Sequence, residues 1–162
     1  MRWTELEVGA FAVLLLFAAP LSADERAPQA GQTGMLFPSA RGAAATVDAF
    51  HAALHRGDTR GAAALLADDA LIFEAGGAER SKGEYAAQHL PADAEFSRSI
   101  SSAVTRRAGR SDGAMAWIAT EGRTTGTYKG KALDLATTET MILRRIGSGW
   151  KIVHIHWSSA KR

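Results

Sequence analysis

Hydrophobic and polar residues alternate along most of the C-terminal half of the chain, which is the period-two pattern of β-strands. The clearest run is WKIVHIHWS at residues 150–158. Strict alternation places His154 and His156 on one face of this strand, together with Ile152, and Trp157 on the opposite face. Three similar runs precede it, separated by turns that contain glycine: residues 97–107, 114–125 and 132–145.

The first half of the domain has helical spacing instead. Residues 43–56 carry apolar side chains three or four positions apart, which predicts an amphipathic helix. Gly57 should end that helix, because glycine adopts the left-handed conformation of a helix terminus at little cost. Asp58 then has the side chain needed to cap a second helix over residues 59–66.

A short strand at residues 70–74 and a third helix at residues 82–90 follow. Ser81 and Glu84 have the spacing of a capping box, and Pro91 should stop the helix. Three helices and one strand followed by four alternating runs predict the α+β class. Helices packed on one face of a curved, mainly antiparallel sheet would leave a cone with an open mouth.

The N-terminus reads as a targeting segment. Residues 8–23 carry no charge, and small residues precede Asp24. This pattern predicts a signal peptide at residues 1–23, cleaved after Ala23, and a periplasmic or secreted protein without membrane association after cleavage. A retained membrane anchor is the alternative, although the uncharged run is short for a span. Residues 24–41, rich in Ala, Pro and Gly, read as a flexible linker, and residues 42–162 as one domain.

Composition excludes several functions. The formal net charge is only +2 and the basic residues are scattered, so no nucleic-acid partner is expected. The chain has no cysteine, which excludes disulfides, thiolate zinc sites and a cysteine nucleophile.

Three stretches resemble the nuclear transport factor 2-like superfamily, within it the SnoaL-like and ketosteroid-isomerase-like branch. They are VDAFHAALHRGD at residues 47–58, ALLADDALIF at residues 64–73, and the terminal hairpin at residues 140–158. The resemblance spans residues 42–159 and implies a cone-shaped α+β domain that is often a homodimer. It does not choose a function, because the family includes isomerases, cyclases, epoxide hydrolases, ligand carriers and association domains.

Histidine spacing favours a metal site as one hypothesis. His154 and His156 are alternate residues of one strand, and the third helix would bring His89 over them. Three imidazoles would leave a fourth position open on Zn²⁺ or Cu²⁺, with Glu74 or Glu139 as an additional ligand or as a carboxylate behind the ligands. The alternative is that these histidines are hydrogen-bonded residues of a pocket.

Two further hypotheses concern that pocket. The first is proton-transfer catalysis by Glu74, Tyr85, Glu139 or His154, because a desolvated carboxylate can act as a general base. The second, which we prefer, is binding of a small organic ligand. The residues expected to line the pocket are His51, Tyr85, His89, Trp117, Glu139, His154 and His156.

Overall fold

Four helices pack on one face of a six-stranded sheet in the computed structural model, which describes residues 35–162. The α+β class is therefore confirmed. The helices are α1 (Arg41–Arg56), α2 (Thr59–Leu65), α3 (Lys82–Gln88) and α4 (Leu90–Ser99). The strands are β1 (Leu66–Glu74), β2 (Gly77–Glu79), β3 (Ile100–Ser111), β4 (Met115–Tyr128), β5 (Lys131–Ile146) and β6 (Gly149–Lys161). The predicted signal peptide lies outside the described residues.

The first two helices end and begin as predicted. Gly57 adopts a left-handed φ of 73° after α1. The side chain of Asp58 accepts a hydrogen bond of 2.8 Å from the backbone N–H of Gly61, which caps α2. Both features are local, so they follow from the identities of a few neighbouring residues.

As predicted, the third helix does not continue past Pro91: α3 ends at Gln88, and this proline lies in the first turn of a separate helix, α4. Proline has no N–H to donate, and a first-turn residue needs none, so proline is tolerated there. The capping box is half formed. Ser81 caps α3 through the N–H of Glu84, but the Glu84 carboxylate accepts from the N–H of Arg80.

The sheet has the strand order β2-β1-β6-β5-β4-β3. The four long C-terminal strands form the predicted antiparallel meander, and β1 pairs with β6 in parallel. The short edge strand β2 was not predicted. It returns antiparallel beside β1 after a turn in which Ala75 and Gly76 have positive φ.

Strict alternation fails in β6, and this changes the face on which the histidines lie. Leu143 pairs with Ile152 and Ile142 pairs with His154, so Val153 is an extra residue without a partner in β5. Such a β-bulge reverses the facing of every residue that follows. Ile152 and Ile155 are consequently both in the core, and Trp157 packs against it. The prediction that His154 and His156 face the helices together with Ile152 was wrong.

The core lies between the helices and this inner face of the sheet. Val47 and Phe50 of α1 are fully buried against Ile118, Met141 and Ile155. The N-terminal end of the described chain docks on the same domain, where the N–H of Phe37 donates to the carbonyl of Gly109 at 3.0 Å. No helix within residues 35–162 is both long enough and apolar enough to cross a membrane.

Candidate functional site

A cavity of about 790 Å³ opens between the helices and the inner face of the sheet. Its walls come from α1, α4, the end of β1, and strands β3 to β6. The residues that matter for its chemistry are Asp48, His51, Glu74, Asp93, Arg107, Glu139 and Trp157. Hydroxyl side chains of the strands, such as Thr120, Thr124 and Thr137, make up much of the remaining polar lining.

Glu139 is the most buried of these acids, with 8% of its surface exposed. It lies on the inner face of β5, opposite Trp157 of β6. Its Oε2 accepts hydrogen bonds of 2.7 Å from the indole N–H of Trp157 and 2.7 Å from His51 Nε2 on α1. Its Oε1 is buried and has no hydrogen-bond partner among residues 35–162.

The surroundings of Glu139 favour its ionised form. Burial alone would raise the pKa of this carboxyl. The hydrogen bond and charge of His51, the indole donor of Trp157 and the charge of Arg107 together outweigh burial. The pKa of Glu139 is therefore lowered, and the cavity holds a carboxylate at neutral pH.

Arg107 is itself held in place on the wall. Its Nη1 lies 2.6 Å from Asp48 Oδ1 on α1, and its Nε donates to the Thr120 hydroxyl at 3.2 Å. The guanidinium thus connects α1 with β3 and β4 near Glu139. Its direct ion pair is with Asp48, and it acts on Glu139 through its charge.

A second acidic group lies on the other side of Trp157. Tyr85 of α3 is fully buried, and its hydroxyl donates to Asp93 Oδ2 of α4 at 2.7 Å. The indole of Trp157 packs between the two groups, with its ring centroid 6.5 Å from that of Tyr85 and its N–H on Glu139. Phe50 stacks on the same indole at 6.3 Å.

The pKa directions in this second group are opposite to that of Glu139. Burial raises the pKa of Asp93, and the hydrogen bond from Tyr85 only partly offsets the effect. The pKa of Tyr85 is also raised, chiefly by burial and then by the nearby Asp93 charge. Burial and the same charge raise the pKa of Glu74. Glu74 is exposed to solvent over part of its surface, so we expect screening to weaken this last effect.

His89 belongs to a smaller cavity of about 140 Å³, which it shares with Glu74, Glu79 and Tyr85. Its Nδ1 forms an ion-pair contact with the carboxylate of Glu79, a buried residue of β2. His89 does not line the larger cavity.

The three histidines of the metal hypothesis do not come together. His154 Nδ1 bonds the carbonyl oxygen of Leu71 at 2.9 Å, and the ring of His156 lies beside that of Phe73. Within residues 35–162 there is no group of three or more histidines and acids able to hold a metal ion. The bulge at Val153 explains this, because it turns His154 and His156 away from the helices that carry His89.

The other pocket predictions have mixed outcomes. His51 and Glu139 do meet, and Tyr85 lies beside the cavity through Asp93 and Trp157. Trp117 lies on the outer face of β4 with 43% of its surface exposed, which corrects the prediction that it lines the pocket. His154 is also outside, whereas His156 borders the cavity from the outer-face side of β6.

Asp93 and Arg107 were missed from the sequence. Asp93 lies eight residues after Tyr85, which would be about 12 Å away along one continuous helix. The two meet because α3 ends and α4 begins between them. Arg107 pairs with Asp48, 59 residues away. No local pattern identifies either contact.

Chemically, the arrangement places a carboxyl group with a lowered pKa, Glu139, and one with a raised pKa, Asp93, on opposite sides of one indole. Groups with pKa values displaced in opposite directions are the usual arrangement of an acid and a base. The same arrangement also suits the binding of a polar group at the base of an otherwise mixed apolar and hydroxyl-lined cavity.

Comparison with known proteins identifies the family to which this chain belongs. A family model described as SnoaL-like domain matches residues 43–161. No curated protein sequence matches this one.

Solved structures share the fold. A candidate ketosteroid isomerase from Shewanella frigidimarina has 35% identity and a TM-score of 0.70, covering 72% of this chain and 94% of its own. A candidate calcium/calmodulin-dependent protein kinase II association domain from Xanthomonas campestris has 23% identity and a TM-score of 0.65, covering 80% and 95%. A candidate dehydratase of the NTF2-like family from Streptomyces avermitilis has 18% identity and a TM-score of 0.61, covering 75% and 96%.

The raised pKa of Asp93 predicts how stability depends on pH. The folded protein keeps Asp93 protonated to higher pH than the unfolded chain, whose value is near 3.8. Ionising it therefore costs stability as pH rises through the folded pKa, and each tenfold change in the acid dissociation constant corresponds to about 1.4 kcal/mol. We expect Asp93→Asn to gain melting temperature relative to wild type as pH rises from 3.5 to about 7.5.

Asp112 supplies the control, because backbone N–H groups of Met115 and Ala114 lower its pKa. Asp112→Asn should show the opposite trend, losing stability relative to wild type as pH rises. A melting-temperature difference for Asp93→Asn that is the same at every pH would contradict the assignment.

Proposed function

Because this chain belongs to the SnoaL-like domain family, we propose that it binds a small organic molecule in the cavity above Glu139 and Trp157. The observation that carries the proposal is a cavity of about 790 Å³ next to a buried carboxylate with one oxygen unpartnered. Ligand cavities commonly enclose roughly 300–1,000 Å³ and contain a few convergent polar groups. Of the histidines that line this cavity, His51 of α1 contacts Glu139 and holds it in place.

Proton-transfer catalysis is the second candidate, of the isomerase, cyclase or hydrolase type. The 35%-identical relative is named as a candidate ketosteroid isomerase, and the structure pairs a lowered pKa at Glu139 with a raised pKa at Asp93. In this scheme the Glu139 carboxylate removes a proton, and the Tyr85–Asp93 pair donates one. Glu74 is a second acid at the same wall. His154 has no part in it, because its ring lies on the outer face.

Turnover separates this candidate from simple binding. With an unconjugated ketosteroid as the probe, Glu139→Gln should lower turnover at least a hundredfold while leaving affinity within a few-fold, since a carboxamide is not a base. His154→Gln is the matched control and should keep full turnover. Wild-type protein that binds the probe without converting it would leave only the binding function.

We also propose that the domain forms a homodimer through the outer face of its sheet. Large apolar side chains remain exposed there, including Trp117 at 43%, Phe73 at 37% and Met115 at 37%. A second copy presents the same patch, so a two-fold arrangement would cover both faces at once.

Light scattering during gel filtration tests the dimer. Trp117→Lys should convert a dimer to a monomer, because a lysine in this patch would be buried by the second copy without a partner for its charge. Ile146→Lys is the control, since Ile146 is equally exposed but lies at the end of β5. A wild-type mass of one chain would contradict the proposal.

Export to the periplasm or the outside of the cell rests on the sequence of residues 8–23. It stays a prediction, and N-terminal sequencing of the mature protein should begin at Asp24.

The binding function itself has a direct test. N-phenyl-1-naphthylamine, which fluoresces in apolar surroundings, should bind the full chain saturably at one site. Thr137 lines the cavity opposite Gly122, so Thr137→Trp should fill the space and weaken binding at least tenfold. Ser148→Trp adds the same ring in the exposed turn after β5 and should bind as wild type does. Equal binding by both variants would place the probe elsewhere.

A further inference from the structure

The wall of the large cavity has an excess of acids. Four acidic side chains line it, Asp48, Glu74, Asp93 and Glu139, against the guanidinium of Arg107 as the only permanent cation contributed by residues 35–162. The whole chain, in contrast, carries a formal charge of +2. Asp48 pairs with Arg107, so three acids remain without a permanent cation of their own within the described lining.

Among these acidic side chains, Glu139 is the one with a buried oxygen that lacks a hydrogen-bond donor from residues 35–162. Its Oε2 has two donors and its Oε1 has none within the described chain. A buried charged oxygen without a hydrogen bond is costly, and few occur without a reason. The terminal torsion of a glutamate is broad, so rotation about it can turn this oxygen toward a donor in the cavity.

The apolar part of the lining suits a positively charged organic ligand. Trp157 and Phe96 both border the cavity and give it an apolar surface for the body of a ligand. A cation placed near Glu74 and Asp93 would also relieve the repulsion that contributes to the raised pKa of Glu74. An anionic ligand would meet the carboxylates instead.

We propose that the ligand of this cavity is an organic cation, a protonated amine on an apolar ring-bearing body, with its ammonium group bonded to Glu139. This inference rests on the proposed binding function and adds the chemical class of the ligand. The ammonium supplies the donor that Oε1 lacks, and the body of the molecule occupies the wider part of the cavity beside Phe96 and the strand hydroxyls.

Three probes with one body and different head groups test the charge preference. They are 2-naphthylmethylamine, 2-naphthylmethanol and 2-naphthylacetate, titrated into the full chain at pH 7.5 and low salt by calorimetry. We expect the amine to bind at least tenfold more tightly than the alcohol and the acetate to bind most weakly. An alcohol or acetate that binds as well as the amine would overturn the inference and leave the binding function standing. If none of the three binds and N-phenyl-1-naphthylamine also fails, both proposals fall.

Variants then locate the preference. Glu139→Gln should reduce the ratio of amine to alcohol affinity to less than threefold, whereas Glu121→Gln, on the outer face of β4, should keep it. Asp93→Asn removes a second acidic group from the cavity wall and should lower the ratio by two- to threefold, which keeps the test available should Glu139→Gln fold poorly. A ratio unchanged in both cavity variants would contradict the assignment.

Discussion

The site depends on how a carboxylate is kept ionised where water hardly reaches it. Desolvation opposes the charge, so the protein must supply donors from fixed positions. Two elements do this for Glu139: α1 contributes His51, and β6 contributes the indole of Trp157. The carboxylate therefore ties the first helix to the last strand, and the cavity keeps its shape only while both remain in place.

Trp157 has two roles in this arrangement. Its N–H stabilises the charge on Glu139, and its ring fills the space between that carboxylate and the Tyr85–Asp93 pair. The apolar ring of Trp157 therefore separates the surroundings of Glu139 from those of Asp93. One side provides hydrogen-bond donors and the other mainly burial, which is why the two pKa values move in opposite directions. The two carboxyl groups are chemically alike, so the difference between their pKa values comes from what surrounds each of them.

Local chemistry made much of the fold predictable. Gly57, Asp58 and Ser81 mark helix boundaries through interactions with their own neighbours, and the alternating strands were visible from residue order. Pro91 follows the end of α3 and lies in the first turn of α4, because a proline that forbids the continuation of one helix is equally suited to begin the next. The meeting of His51 with Glu139 follows from the packing of α1 on the sheet, and both had been placed in the pocket. The Tyr85–Asp93 contact, by contrast, depends on the angle between two short helices, which residue spacing does not determine.

The unpaired residue Val153 has a consequence for how related chains are compared. Beyond it, the face of each side chain depends on whether this residue is paired. A relative with the same number of residues that paired them without the bulge would bring the imidazoles inward and send the indole out, whereas one lacking the residue would keep the present facing. Two such proteins could be nearly identical in the sequence of this strand and still present different side chains, imidazoles or an indole, to a bound molecule. An alignment that omits a gap here would equate residues that never occupy the same place.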